Sequence, residues 1–232
     1  MELSPQLSTI GVLFIGFALG LQHAIEADHL AAVSTIVSEK KSLLAASIVG
    51  GLWGLGHTIS LFVAGVFVIF LKLQISPSTE TKLEAGVGVM LILLGLNALR
   101  KLFSAEKIHA HSHEHGTREH IHIHTHGNEP EPFHHRFSVR SVLIGMVHGL
   151  AGSAALMLLV VPTIASPFLA LAYILIFGIG SIGGMMAMSF LIGLPMHFTF
   201  NRFAMLNKGL RLVAGSFSLI LGGFVVYEKF SI

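Results

Sequence analysis

Long apolar segments alternate with short polar turns along most of the chain. Two of them, residues 42–71 and 141–201, contain no Asp, Glu, Lys or Arg. A bilayer span needs about 20 apolar residues, so the first segment is long enough to cross once and the second twice. A soluble helical bundle would need polar positions at helical period, which these segments lack. The pattern therefore predicts an all-α integral membrane protein.

Six transmembrane helices fit this pattern, arranged as two sets of three. They are predicted at residues 7–36, 43–71, 83–103, 138–162, 167–196 and 207–230. The hydrophilic stretch between the sets has few residues that could pack into a core, so it is expected to be disordered. The predicted division is a first membrane repeat at residues 1–103, a His-rich loop at 104–137 and a second repeat at 138–232.

Short motifs recur in the two sets of spans. Residues 20–23 (Gly-Leu-Gln-His) correspond to residues 145–148 (Gly-Met-Val-His), and residues 85–86 (Ala-Gly) correspond to residues 214–215. Because each set has an odd number of spans, the second set would insert upside down relative to the first. Inverted three-helix repeats of this kind are common in secondary transporters. The alternative is that glycines match by chance in glycine-rich helices.

Lys and Arg are distributed unevenly between the two sides of this topology. With the N-terminus outside, three of the 14 Lys and Arg residues, namely Lys72, Lys82 and Lys229, lie on the outer side. The other eleven lie on the inner side, and positive charge collects on the cytoplasmic side of bacterial membranes. Both termini are therefore expected outside a bacterial cytoplasmic membrane, with the His-rich loop in the cytoplasm.

Composition narrows the chemistry further. Apolar residues make up 53% of the chain and charged residues 11%, against roughly 25% charged in an ordinary soluble domain. The absence of cysteine excludes disulfides and thiolate metal sites, so nitrogen and oxygen would hold any metal. A net charge of +2 with scattered Lys and Arg does not indicate nucleic-acid binding. No Lys or Arg precedes the first apolar run, so that run is expected to be retained rather than cleaved as a signal peptide.

Four ionisable residues stand within seven positions of the first span: His23, Glu26, Asp28 and His29. A charge at bilayer depth costs about 2.5 to 3.5 kcal/mol on insertion scales, so such a cluster indicates a function. Alternatively, the last three are solvated at the inner surface. A regular helix would point His23, Asp28 and His29 to about 0°, 140° and 240° around its axis. They converge only if the helix is broken there, or they face different neighbours.

Two further histidines lie in apolar spans. His57 is the only ionisable residue of residues 42–71, and it follows a glycine-rich run that would let helices pack closely. His148 lies at the place in the second set that corresponds to His23. Each is either a metal ligand or a hydrogen-bonded packing residue. Imidazole and carboxylate without thiolate suit a divalent nickel, cobalt, zinc or iron ion, and these residue types alone do not distinguish among the four.

The run His-x4-Asp-His at His23, Asp28 and His29 resembles the signature of the nickel/cobalt transporter family. Residues 55–58 (Leu-Gly-His-Thr, containing His57) resemble its second conserved stretch. The likeness is closer to the six-span branch of urease-accessory (UreH-like) nickel permeases, whose second half opens much like residues 148–155. It covers nearly all of the chain outside the loop and implies nickel or cobalt translocation by those four residues. Gln22, where many members have arginine, and Glu26, in place of aspartate, depart from the pattern.

Histidines dominate the loop, with ten between His109 and His135. Two groups of four alternate with other residues, at positions 109–115 and 120–126. Neutral imidazoles within reach of one another bind divalent metals even in a disordered chain. The loop is therefore predicted to buffer metal, and a cytoplasmic metallochaperone is a candidate partner there. A tolerated low-complexity linker is the alternative.

The leading hypothesis is a permease, not an enzyme and without a cofactor, that takes up nickel or cobalt for urease or hydrogenase maturation. Its proposed metal ligands are His23, Asp28, His29 and His57, with Glu26 and His148 as further candidates. An exporter of the same ions is the closest alternative, because a His-rich cytoplasmic loop could equally collect metal for efflux. A membrane acyltransferase using His23 as a base oriented by Asp28 is a remote alternative, as is a structural subunit that presents metal to a partner.

Overall fold

Seven α-helices make up most of the described chain. This computed structural model describes residues 5–38, 40, 42–72, 76–104, 109–115, 118–124, 136–151, 161–164, 166–200 and 202–231. The helices are α1 (Pro5–His23), α2 (Ala27–Val37), α3 (Leu43–Leu71), α4 (Pro77–Ser104), α5 (Arg136–Ala151), α6 (Pro167–Phe200) and α7 (Ala204–Phe230). A short 3-10 helix (Val161–Thr163) precedes α6, and two strands, β1 (His109–His115) and β2 (Arg118–His124), lie between α4 and α5.

Four helices, α3, α4, α6 and α7, are long and apolar enough to cross a membrane. Helices α1 and α2 meet at an angle of 54° and together can form one further, broken span. The apolar part of α5, Val139–Leu150, is shorter than a span, and residues 152–160 lie outside the described part of the chain. The helices confirm the predicted all-α membrane class, whereas the count of six spans stays a prediction.

Helix boundaries agree with the sequence pattern where polar residues flank the apolar run closely. Helix α3 covers Leu43–Leu71, as predicted. Helix α4 begins at Pro77, six residues before the predicted span, and Glu80 lies in its first turn. The apolar pattern marks the part of a helix that lipid or protein covers, whereas the backbone stays helical past it into water. Glu39 and Lys41, between the first two predicted spans, lie outside the described residues.

The first span is broken between His23 and Ala27. The N–H groups of Ile25 and Glu26 donate to the carbonyls of Gln22 and His23, at 3.0 and 3.1 Å, so the chain makes a turn there. Glu26 is extended, with φ −66° and ψ 149°, and the N–H of Leu30 donates to its carbonyl to start α2. This break fits the expectation that the ionisable residues of span one can converge only where the helix is interrupted.

Helix α3 packs against α5 and α6, while α1 packs on α6 and α4 on α7. Glycines let these backbones approach closely. A Cβ at Gly145 of α5 would overlap the carbonyl oxygen of Trp53 in α3, and one at Gly20 of α1 would overlap that of Phe177 in α6. Large apolar side chains such as Phe14 and Ile220 are exposed on the outer surface, as expected of a surface that faces lipid.

The His-rich stretch differs from the expectation of disorder. Strands β1 and β2 pair antiparallel, with His109 opposite His124 and His113 opposite His120. The alternation of histidine with other residues has the period of two that a strand requires, which gives a physical reason for the pairing. His126, His134 and His135 lie outside the described residues.

Candidate metal centre

Four histidines and one aspartate from four helices converge at the break in the first span. They are His23 at the end of α1, Asp28 and His29 at the start of α2, His57 in the middle of α3, and His148 in α5. His29, His57 and His148 are fully buried, and His23 is 2% exposed. The structure thus brings together five of the six residues singled out in the sequence as candidate ligands.

The break decides how α1 and α2 present their side chains. Because the helix stops at His23 and restarts in a new direction at Ala27, His23 and His29 no longer follow one helical axis. Their ring centroids are 4.2 Å apart, although a continuous helix would point them about 120° apart around its circumference.

His23, His29 and His57 form one group that could hold a metal. Each offers a ring nitrogen, and the three nitrogens lie within 4.8 Å of one another. The centroids of His23 and His57 are 4.9 Å apart. Donors around one divalent ion are separated by roughly 3.0 to 3.4 Å when each bond is about 2.1 Å, so a small closure of the rings would complete this group around an ion.

Asp28, His29 and His148 form a second group, and His29 belongs to both. Oδ1 of Asp28 lies 3.1 Å from Nδ1 of His29, and Oδ2 lies 3.3 Å from Nε2 of His148. Nδ1 of His29 and Nε2 of His148 are themselves 3.2 Å apart. With one oxygen of Asp28 against each histidine, these contacts are close to the spacing of donors around one ion.

Two aromatic side chains enclose the cluster. The buried ring of Trp53 stacks on His29 at 5.3 Å and meets His148 edge-on at 5.4 Å, while Phe177 lies 5.7 Å from His23. Trp53 was not among the residues singled out in the sequence, although it lies in the glycine-rich run before His57. Its position one helical turn before His57 could have identified it, because residues four apart share a helix face.

Glu26, the sixth candidate, lies at the edge of the cluster. Its Oε1 is 2.9 Å from Nδ1 of His23, and its side chain is 39% exposed. Apart from this contact with Glu26, Nδ1 of His23 makes no hydrogen bond within the described residues. Glu26 is therefore next to the ligands and open on its other side.

The arrangement can bind a divalent cation away from water. Buried imidazoles without hydrogen-bond partners are costly in an apolar interior, and in this cluster Nε2 of His29 and Nδ1 of His148 have none among the described residues. A borderline metal ion would satisfy such nitrogens, and the carboxylate of Asp28 would offset part of its charge. Asp28 contacts His29 and His148 rather than His23, which does not fit the His–Asp pair of an acyltransferase.

Comparison with known proteins identifies one family and three relatives. The family described as high-affinity nickel-transport protein (NicO) matches residues 9–225. The chain is 37% identical over 223 residues, 96% of its length, to 93% of the urease accessory protein UreH of Bacillus sp. (strain TB-90). It is 24% identical over 77% of its length to 48% of the chloroplast protein FOR GROWTH AND FERTILITY 1 of Arabidopsis thaliana. It is 29% identical over 39% of its length to 26% of the high-affinity nickel transport protein of Cupriavidus necator. No solved structure matches the chain.

Proposed function

Because this chain belongs to the high-affinity nickel-transport (NicO) family, we propose that it takes up Ni²⁺ through the cluster at the break in its first span. The family is one of transporters, so the acyltransferase hypothesis is wrong. The observation that carries the proposal is the convergence of His23, Asp28, His29, His57 and His148 in a bundle of apolar helices. Nickel is the transported substrate here and not a resident cofactor. Cobalt, which fits the same donors, is a second candidate substrate.

Uptake for nickel-enzyme maturation is the direction we propose. The relative described as a urease accessory protein matches almost the whole chain, and urease needs nickel in the cytoplasm. The excess of Lys and Arg on the side of the His-rich stretch supports a bacterial cytoplasmic membrane with both termini outside. Efflux is the second candidate, because a His-rich stretch in the cytoplasm could equally collect metal for export.

Matching close contacts in the two halves support six spans in two inverted repeats. In each contact, a Cβ added to a glycine would overlap a carbonyl oxygen of the neighbouring helix. The matching contacts are Gly20 on Phe177 with Gly145 on Trp53, and Gly180 on Phe17 with Gly56 on Val142. In both matches the α1 residue precedes its α5 counterpart by 125 positions, and the α3 residue precedes its α6 counterpart by 124. A constant offset is expected if α1 is equivalent to α5 and α3 to α6.

Helices α4 and α7 fit the same symmetry. A Cβ at Gly88 would lie 2.9 Å from the carbonyl oxygen of Gly222, and one at Gly95 would lie 2.7 Å from that of Gly215. If Gly88 corresponds to Gly215 and Gly95 to Gly222, exchanging the two halves converts each of these contacts into the other. The correspondence is two residues away from the sequence match of residues 85–86 with residues 214–215.

The His-rich hairpin is proposed to collect metal on the cytoplasmic side. Cross-strand neighbours such as His111 and His122 have Cα atoms paired in the antiparallel register, and closely spaced imidazoles bind divalent ions. Metal held there would stay near the inner opening, where a metallochaperone could remove it. On this proposal the hairpin raises the local metal concentration and forms no part of the pore.

Flux measurements on the full chain test the proposed function. Liposomes that contain the protein should accumulate nickel-63 down a gradient faster than protein-free liposomes and faster than liposomes with His29→Ala. His197→Ala is the matched control, because His197 is exposed on α6 and outside the cluster, and it should transport like the wild type. Competition by added cobalt or zinc in the same assay would give the order of substrate preference.

Intact cells decide the direction of transport. Cells that express the wild-type protein should hold more nickel-63 than cells that express His29→Ala at equal membrane abundance. Less nickel in the wild-type cells would support efflux instead, and equal nickel together with no flux in liposomes would contradict transport altogether.

A further inference from the structure

We propose that the cluster consists of two successive metal sites that share His29, an outer site of His23, His29 and His57 and an inner site of Asp28, His29 and His148. The inference rests on the proposed function, because it divides the transport site into two steps. Each group has donors within 4.8 Å of one another, and His29 is common to both. Apart from His29, the two groups have no ligand in common, as expected if they are two positions of one ion.

The two nitrogens of His29 are in different environments. Nδ1 lies 3.1 Å from Oδ1 of Asp28 and 3.2 Å from Nε2 of His148. Nε2 is buried and has no hydrogen-bond partner within the described residues. A neutral imidazole has one nitrogen with a free lone pair, and the other carries the proton. His29 can therefore bind an ion in one group at a time, and the two sites are alternatives.

While the ion is in the outer site, Asp28 can still act on it. A metal-bound histidine usually donates its other N–H to a carboxylate, which fixes the ring and increases its basicity. Oδ1 of Asp28 is in position to accept from Nδ1 of His29. When the ion moves to the inner site, the same carboxylate becomes a direct ligand. Asp28 thus supports His29 first and coordinates the ion afterwards.

The break in the span sets the order of the two sites. His23 ends α1 before the break, and Asp28 starts α2 after it. In a span that runs from the outside inwards, the His23 group comes first. Glu26, which is half-buried and next to His23, would be the first carboxylate that an arriving ion meets.

The two sites also differ in the chemistry of their ligands and in the half of the chain that supplies them. An all-imidazole site selects borderline metals over Mg²⁺ and Ca²⁺, which require oxygen ligands. A carboxylate then offsets the ion's charge where the surroundings are apolar. The outer ligands all come from the first half of the chain, whereas His148 comes from the second. Passing the ion from one site to the other therefore moves it from one half to a position between the halves.

Nickel X-ray absorption and equilibrium binding of nickel-63 on the purified full-length protein test the proposal. The wild type should bind a single ion with two or three imidazoles. His148→Ala should still bind one ion with three imidazoles, but flux in liposomes should fall by about tenfold or more, because the inner site has lost a ligand. His57→Ala should bind with two imidazoles and a carboxylate. His29→Ala should lose nickel binding at both sites, and His197→Ala should bind nickel like the wild type.

Two results would overturn the proposal. One is a wild-type ion with four imidazoles, and the other is an equal loss of binding in His57→Ala and His148→Ala, because both describe one undivided site. His57→Asn and His148→Asn preserve more of the side-chain volume and replace the alanine variants if those fail to fold. A wild type that binds nickel in this way but transports none would contradict the proposed function and not the two sites.

Discussion

Among the described residues, Asp28 is the carboxylate with two contacts inside the cluster. Its two oxygens lie against His29 and His148, and its side chain is 22% exposed. Neutral imidazoles alone would leave the two positive charges of a nickel ion uncompensated in an apolar environment. The charge of Asp28 is therefore expected to matter more than its shape.

Replacing Asp28 by asparagine separates charge from shape. An opposite unit charge about 4 Å away stabilises an ion by roughly 4 kcal/mol at an effective dielectric constant of about 20. We therefore expect Asp28→Asn to abolish nearly as much nickel-63 uptake as Asp28→Ala, measured per protein in the membrane. Uptake by Asp28→Asn at the wild-type rate would rule out a charge-compensating role.

At this scale, the sequence singled out side chains that lie together in the structure, but it did not predict how they pair. The spacing of His23, Asp28 and His29 left two alternatives, a broken helix or different neighbours, and the span is broken there. The contact between Asp28 and His148 joins residues far apart in the chain, and no local pattern encodes it. Glu26, a further candidate ligand in the sequence, lies 2.9 Å from His23, because the turn after α1 brings it back toward that ring.

Helix packing around the cluster depends on glycines that let backbones touch. The carbonyl oxygen of Trp53 occupies the space that a Cβ at Gly145 would need. Because Gly145 lies one turn before His148, the contact that holds α5 against α3 also sets the position of that ligand.

A methyl group at Gly145 should push α5 away from α3. Overpacking of this kind costs about 1 to 3 kcal/mol, so Gly145→Ala should unfold at a lower temperature in detergent and lose nickel uptake. Gly223→Ala on α7 is the control, because nothing lies within 4 Å of its added Cβ. There alanine should leave uptake unchanged and keep or raise the unfolding temperature, since glycine is a poor helix former. Equal effects of the two changes would contradict the packing argument.

The bounds of a helix could be predicted from the sequence where polar residues flank its apolar run. The sequence placed α3 at its observed bounds, but it ended span five at residue 196, whereas α6 continues to Phe200 with Pro195 inside it. The hairpin of β1 and β2 was predicted as disorder because its residues cannot form a core, although their alternation is that of strands.

The whole chain is expected to have both termini outside and the hairpin inside. Single cysteines at Ser78, exposed at the start of α4, and at Ser112 in β1 can be compared, since the native chain has no cysteine. An impermeant thiol reagent should label only Ser78→Cys in intact cells and both after lysis. Labelling of Ser112→Cys in intact cells would reverse the topology.

Deleting residues 109–126 tests whether the hairpin only concentrates metal. Nickel retained at limiting supply should fall, whereas the maximal flux should stay within about threefold, because binding outside the pore acts by mass action. Complete loss of transport by a normally inserted deletion variant would make the hairpin part of the pathway.

The chain contains a single tryptophan, and that residue stacks on the histidine common to both proposed sites. Its fluorescence therefore comes from one known position beside the ion. Paramagnetic Ni²⁺ at His29 should quench this emission, whereas Zn²⁺ in the same place should leave more of it. Occupancy of the site by the ion can then be followed by tryptophan fluorescence in the unlabelled protein, in detergent or in vesicles, during transport.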